Sequence, residues 1–176
     1  MSGHNKWSKI KRKKGASDAQ RSKLFSKMVR YITVEAKKAG GNLASPGLKA
    51  AIEKAKESNM PNDTIDRAVK KAATDNSAAM ENITYEAYGP GGCALVIEAL
   101  TDNRNKAAQD VKHILSKNGF SLAAMGAATW SFKKEAGEWI PTTTVQIGEE
   151  DSTTLENLIE ELEENDEVQD VYTNAE

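Results

Sequence analysis

The hydrophobic pattern changes character near residue 80, from helical spacing alone to strand patterns alternating with helices, and that change limits the folds open to the chain. Upstream, apolar residues recur at helical spacing. With about 100° per residue, Phe25, Met28, Ile32, Ala36 and Ala39 share one arc. Ser17 reads as the N-cap of this helix and Gln20 as its capping-box partner; Gly40-Gly41 stops it near Ala39. Ser45-Pro46 starts a second helix, with proline at the first helical position and Leu48, Ile52 and Ala55 on its apolar face. The break "ESNMPND" leads to a third at Pro61, carrying Ile65, Ala68 and Val69. "ATDNSAAMEN" then reads as a polar linker.

Downstream the period shortens. "ITYEAYG" (83–89) alternates as a strand does, "GPGG" turns the chain, and "CALVIEAL" (93–100) is the nearly continuous apolar run of a central strand. Asp102 or Asn103 caps a helix that buries Ala107, Ala108, Val111, Ile114 and Leu115, with His113 a partly buried packing residue. "AATWSF" (127–132) and "TTTVQI" (142–147) read as strands. "STTLENLIEELEEN" is an amphipathic helix with Leu155, Leu158, Ile159 and Leu162 inside, and "EVQDVYT" (167–173) is a last strand. Two strand–helix–strand units predict an α+β chain: an N-terminal three-helix domain followed by a ferredoxin-like α/β sandwich domain. The expected division is a basic flexible arm over 1–16, a helical domain over 17–75 and the α+β domain over 76–176.

The charge is as uneven as the hydropathy. Residues 1–30 carry ten Lys/Arg and one acid, whereas residues 149–176 carry twelve acids and no Lys or Arg. A net charge of -2 hides this gradient. The arm "GHNKWSKIKRKKG" holds no acid and one large aromatic. A solvated charged tail is the simplest account of a basic run, but three features favour binding to a polyanion. Lys23, Lys27 and Arg30 (with Lys37) continue the charge as a stripe on the first helix, opposite its apolar arc. Trp7 sits among cations rather than in an apolar pattern. His4 and Asn5 add hydrogen-bonding groups. Lys6, Lys9, Lys11, Arg12, Lys13 and Lys14 suit phosphates, and Trp7 suits stacking on an unpaired base. Eleven residues, His4, Lys6, Trp7, Lys9, Lys11, Arg12, Lys13, Lys14, Lys23, Lys27 and Arg30, form the candidate nucleic-acid site. The loop "TDNRN" offers a second candidate, with Asp102, Asn103 and Arg104 presented to a partner; helix capping is the competing account.

Other function classes find little support. "YGPGG" lacks the Lys-Ser/Thr of a phosphate loop and does not lead into a helix. One cysteine and two histidines cannot build a Cys/His zinc site, and no nucleophile–base pair stands out. The expectation is a protein with no catalytic residues, no metal and no cofactor. No apolar run approaches membrane-spanning length and the basic N-terminus has no apolar core of a secretory signal, so the expected setting is cytoplasmic, away from membranes, as a monomer.

The arm and first helix, "GHNKWSKIKRKKGASDAQRSKLFSKMVRYITVEAKKAGG", closely resemble the start of the YebC family. The likeness continues through "AIEKAKESNMPNDTIDRAVKKA", "YEAYGPGG", "ALVIEALTDNRNKAAQDVKHILSKNG" and "DEVQDVYTNAE". Gly3, His4, Lys6, Trp7, Ile10 and Lys11 match the family's N-terminal motif. The resemblance implies a helical domain followed by two α+β domains, one inserted into the other. Here "ATWSFKKEAGEWIPTTTVQI" joins directly the strands that the family separates, so two domains are expected rather than three. The family was first described as probable transcriptional regulators, and its mitochondrial relatives are translational activators. The resemblance thus implies a translation factor on the ribosome, contacting large-subunit rRNA and relieving stalling at proline-rich stretches. The alternatives are a DNA-binding transcriptional regulator and, if the arm proves dispensable, an adaptor that binds proteins through its sheet. A flexible arm with one stacking aromatic suits folded RNA better than a duplex major groove.

Overall fold

The computed structural model describes residues 18–75 and 79–176. They divide into two compact units, with the boundary between Met80 and Glu81. The fold is α+β, a helical unit followed by a sheet unit.

The helical unit contains α1 (Asp18–Lys38), α2 (Pro46–Glu57) and α3 (Asn62–Thr74). Their apolar faces meet in one cluster: Met28, Ile32 and Ala36 from α1, Leu48, Ala51 and Ala55 from α2, and Ile65 and Ala68 from α3. Phe25 and Ala39 pack against it partly buried. Two of these helices end in the same way. The Gly41 N–H reaches the Ala36 carbonyl at 3.2 Å and Gly40 N–H the Lys37 carbonyl at 3.1 Å; Met60 and Asn59 repeat the pattern on Ala55 and Lys56. Both are Schellman turns, which need a left-handed residue just past the helix. Gly40 (φ 57°) and Asn59 (φ 61°) supply it. The Ser17 cap lies outside the described residues.

In the sheet unit, β1 (Glu81–Tyr88) and β2 (Ala94–Thr101) pair antiparallel from Glu81↔Thr101 to Tyr88↔Ala94. The loop "GPGG" closes this hairpin: Gly89 N–H bonds the Cys93 carbonyl at 2.8 Å. β2 pairs on its other side with β5 (Val168–Thr173), giving the order β1–β2–β5 with a bulge at Glu98/Ala99. β2 is therefore central, and all of its residues but Glu98 are buried. Helices α4 (Arg104–Lys117) and α5 (Glu149–Glu164) cover one face. Val111, Ile114 and Leu115 from α4 and Leu155, Leu158, Ile159 and Leu162 from α5 pack on Leu95, Ile97, Val168 and Val171. Polar bonds also tie the two helices: Lys117 Nζ to Glu161 Oε1 at 2.6 Å, Asn118 Nδ2 to Glu161 Oε2 at 2.9 Å, and Asn165 Nδ2 to Asp110 Oδ2 at 3.1 Å.

The opposite face is covered by a separate two-stranded hairpin, β3 (Phe132–Glu135) with β4 (Glu138–Pro141). Ala94, Val96 and Tyr172 of the sheet pack there with Ala128 and Phe132, and Trp139 joins from the rim. Alternation along β2 explains both faces: Leu95 and Ile97 point to the helices, Ala94 and Val96 to the hairpin.

Four expectations change. "AATWSF" is not a strand over its length; Thr129–Ser131 is a 3₁₀ turn and pairing starts at Phe132. "TTTVQI" makes a single parallel bridge, Val145 with Ala175. The N–H groups of Thr142 and Thr143 both turn to the Ser131 carbonyl, at 2.8 and 3.4 Å, which removes them from any ladder. The helix-on-sheet sandwich is present, but the four-stranded sheet of a ferredoxin-like domain is not formed; β1 takes one edge and the hairpin a face. His113, read as partly buried, is exposed on α4.

Candidate nucleic-acid interface

Of the candidate nucleic-acid residues, His4, Lys6, Trp7, Lys9, Lys11, Arg12, Lys13 and Lys14 lie outside the described residues. The structure places Lys23, Lys27 and Arg30 on α1, and the stripe is not the open surface that its spacing suggests. Lys27 is 8% exposed, and Val34, two turns along the same face, is 7% exposed. Lys23 and Arg30 are half-buried. A lysine carries a long apolar stem, so its side chain can be covered over most of its length. Arg30 Nη2 lies 3.8 Å from Met80 Sδ, and Lys37 Nζ 3.6 Å from Asp75 Oδ2.

The loop candidate resolves into local structure. Asn103, not Asp102, caps α4: its Oδ1 accepts the Lys106 N–H at 3.1 Å. The Asn103 N–H bonds Thr101 Oγ1 at 2.9 Å. Arg104 Nε stands 3.5 Å from Glu81 Oε1, with its side chain largely exposed. Asp102 is exposed. Next to this loop, Lys106 Nζ holds Asp110 Oδ2 at 2.8 Å. Hydrogen bonds from Lys106 and then Asn165 hold the Asp110 carboxyl below its ordinary range.

The sequence reading missed a second constellation, on the hairpin side of the sheet. Glu86, in the middle of β1, is 5% exposed. Its carboxylate accepts three backbone N–H groups from one loop: Gly126 at 2.7 Å, Ala128 at 2.9 Å and Thr129 at 2.7 Å. Burial by itself would push this carboxyl up, but the three donors outweigh it and hold its pKa below the usual value. Next on the same face, the Tyr88 hydroxyl donates to the Ala127 carbonyl and accepts from Trp130 Nε1 at 3.3 Å. The loop so braced exposes Met125 at 98% and Trp130 at 65%. A signal was available. Glu86 occupies an alternating, buried strand position with no basic residue opposite it, since its register partner is Val96. Such a carboxylate must find its donors in backbone.

Cys93 is buried and burial pushes its thiol up, as befits a small core residue. Among the described residues, no group of three or more His, Cys, Asp or Glu is placed to hold a metal, and no helix is long and apolar enough to cross a membrane. The charge gradient runs along the chain. Residues 1–75 carry eighteen Lys/Arg against seven acids, and residues 79–176 carry six against nineteen.

Known proteins place this architecture. A protein from Fervidobacterium nodosum described as a probable transcriptional regulatory protein is 48% identical over 173 residues, covering 96% of this chain and 68% of that one. One of the same description from Finegoldia magna is 54% identical over 77% of this chain and 57% of its own length. The relative from Pseudothermotoga lettingae is 37% identical over 238 residues, spanning 100% of this chain and 94% of that one. That alignment is longer than this chain, so the relative carries additional residues inside the matched range. A crystal structure of a conserved hypothetical protein from Aquifex aeolicus superposes with a TM-score of 0.75 at 32% identity, over 90% of this chain and 91% of that one. The TACO1/YebC protein N-terminal domain matches residues 5–75, and the TACO1/YebC second and third domain matches 80–137 and 134–175. The two segments meet at the β3–β4 turn, where the additional residues of longer relatives would enter. Matched over residues 5–75 and 80–175, the chain belongs to the TACO1/YebC family, and the relatives above are described as probable transcriptional regulatory proteins.

Proposed function

We propose that this protein is a non-enzymatic RNA-binding translation factor that acts on the ribosome through its basic N-terminal half. The observation that carries this reading is the division of charge. The eighteen Lys/Arg of residues 1–75 include six in an arm that holds no acid and one tryptophan. Cations neutralise phosphates, and the indole stacks on an unpaired base; folded rRNA offers both. The acidic second half repels a polyanion, so contact is one-sided. A factor of this kind needs no catalytic group: it helps a poor peptidyl acceptor such as proline by positioning it.

The second reading, a DNA-binding transcriptional regulator, has the names of the relatives in its favour. Ultraviolet cross-linking in cells, followed by sequencing of the bound nucleic acid, separates the two. The expected result is enrichment of large-subunit rRNA that disappears when Lys6, Trp7, Lys9 and Lys11 are all changed to Ala. Enrichment at promoter DNA, with rRNA at background, assigns the protein to transcription instead.

A further inference from the structure

We infer that the loop braced by Glu86 is a second RNA contact, in which the fixed face of Trp130 stacks on an unpaired nucleotide. The inference rests on the RNA-binding reading above but concerns a different part of the chain.

Rigidity is the first observation. The backbone of residues 126–129 is held at three N–H groups by Glu86, at the Ala127 carbonyl by Tyr88, and at the Ala128 carbonyl by Ser131 Oγ at 2.8 Å. Trp130 is then held at its edge by the hydroxyl of Tyr88. That bond uses the only donor an indole has. What remains for a partner is the ring, on a residue that is 65% exposed and whose loop is already braced, which lowers the ordering cost of binding.

Charge is the second observation, and it selects the partner. Residues 79–176 hold nineteen acids, yet residues 111–134 hold none and carry four lysines. Trp130 lies within this acid-free stretch. The Glu86 charge beneath it is buried and spent on backbone donors. Lys133, three residues on, pairs with Glu135 at 2.7 Å, but both side chains are about half exposed. Such a pair is weak enough for a phosphate to replace the carboxylate. An open indole with an exchangeable lysine three residues on, in the longest acid-free stretch of an acidic unit, fits a nucleotide. Stacking on it is tolerant of base identity, because every base has a π-face.

The test uses the full chain and a short oligouridylate, with a duplex RNA of equal length as comparison. In a variant with Trp7→Phe and Trp139→Phe, Trp130 is the remaining tryptophan and its fluorescence reports directly. Quenching by oligouridylate and much less by duplex is expected. In the otherwise native chain, Trp130→Ala should weaken oligouridylate binding by roughly 5- to 150-fold, the range for loss of one stacked base, and Trp130→Phe should restore most of it. Unchanged affinity in Trp130→Ala, or no quenching, overturns the inference while leaving the arm reading intact if Lys6, Lys9, Lys11 and Arg12 changed together to Ala weaken binding. Normal binding by that arm variant, together with loss in Trp130→Ala, overturns the arm reading and keeps this one. No binding of either RNA by the native chain overturns both.

Discussion

At the scale of single residues, Glu86 does the most unusual work. A buried carboxylate would be costly if unpaired, and here three N–H donors aimed from one loop compensate it. Glu86→Gln keeps the shape but places an amide where only acceptors fit, so one or more loop N–H groups lose their partner. The expected cost is about 2 kcal/mol, read from urea unfolding of the two proteins side by side. The effect depends on pH. The folded carboxyl titrates below its ordinary 4.5, so its contribution is complete above that value and is lost as pH falls through the folded pKa. The gap between the wild type and Glu86→Gln should therefore hold at neutral pH and close in that acid window; a gap independent of pH would show that the charge is not what holds the loop. Trp7 permits a complementary measurement. If it stacks on a base, Trp7→Ala should lower RNA affinity by roughly 1–3 kcal/mol and leave the melting temperature in place. A drop in melting temperature would reassign it to packing. The roles of Glu86 and Trp130 were hidden in the sequence for different reasons. Glu86 shows only as a polar residue in an alternating strand, and its donors lie some forty positions downstream. Trp130 sits in "AATWSF", whose residue types suit a strand as well as the turn it forms.

At the scale of elements, most of the fold was written in periodicity. Helical arcs placed α1, α2 and α3 and the two helices of the sheet unit, and an uninterrupted apolar run marked β2 as central. Pairing was less legible. Residues 142–147 have strand-forming side chains, but whether they join a ladder depends on where the N–H groups of Thr142 and Thr143 go, and Ser131 takes both. The basic stripe of α1 was legible as a pattern and not as a surface, because spacing says which residues share a face and nothing about what covers it. Turns give the clearest element-scale prediction. α4 ends as α1 and α2 do, with the Phe120 N–H on the Leu115 carbonyl at 2.8 Å and Gly119 left-handed. A Cβ at Gly119 would meet nothing within 4 Å. Gly119→Ala should thus cost only the backbone term, about 1 kcal/mol, and Gly119→Asn less. Gly91 differs: it too is left-handed, at φ 68°, and a Cβ there would lie 2.5 Å from Ile147 Cγ2. Gly91→Ala should destabilise the sheet unit by more than Gly119→Ala, as thermal unfolding of both variants would show.

At the scale of the whole molecule, opposite charge on the two halves governs how the protein meets a polyanion. Binding through the basic half should weaken steeply with salt. On single-stranded RNA each phosphate contact contributes about 0.7 to the log–log slope, so changing Lys6, Lys9, Lys11 and Arg12 to Ala should reduce that slope by up to about 3. A slope that does not move would exclude these four from the contact. The other feature with consequences at this scale is small. Ala136 and Gly137 form the tip of the β3–β4 hairpin, both with positive φ and both exposed. Opening the chain at that tip breaks no core contact and shifts no register, since Glu135 and Glu138 on either side already face each other. Whatever is spliced there leaves and re-enters through neighbouring points, like a pendant on a clasp. The sandwich beneath is indifferent to its cargo, so short and long versions of such a protein can share one body and differ only in reach.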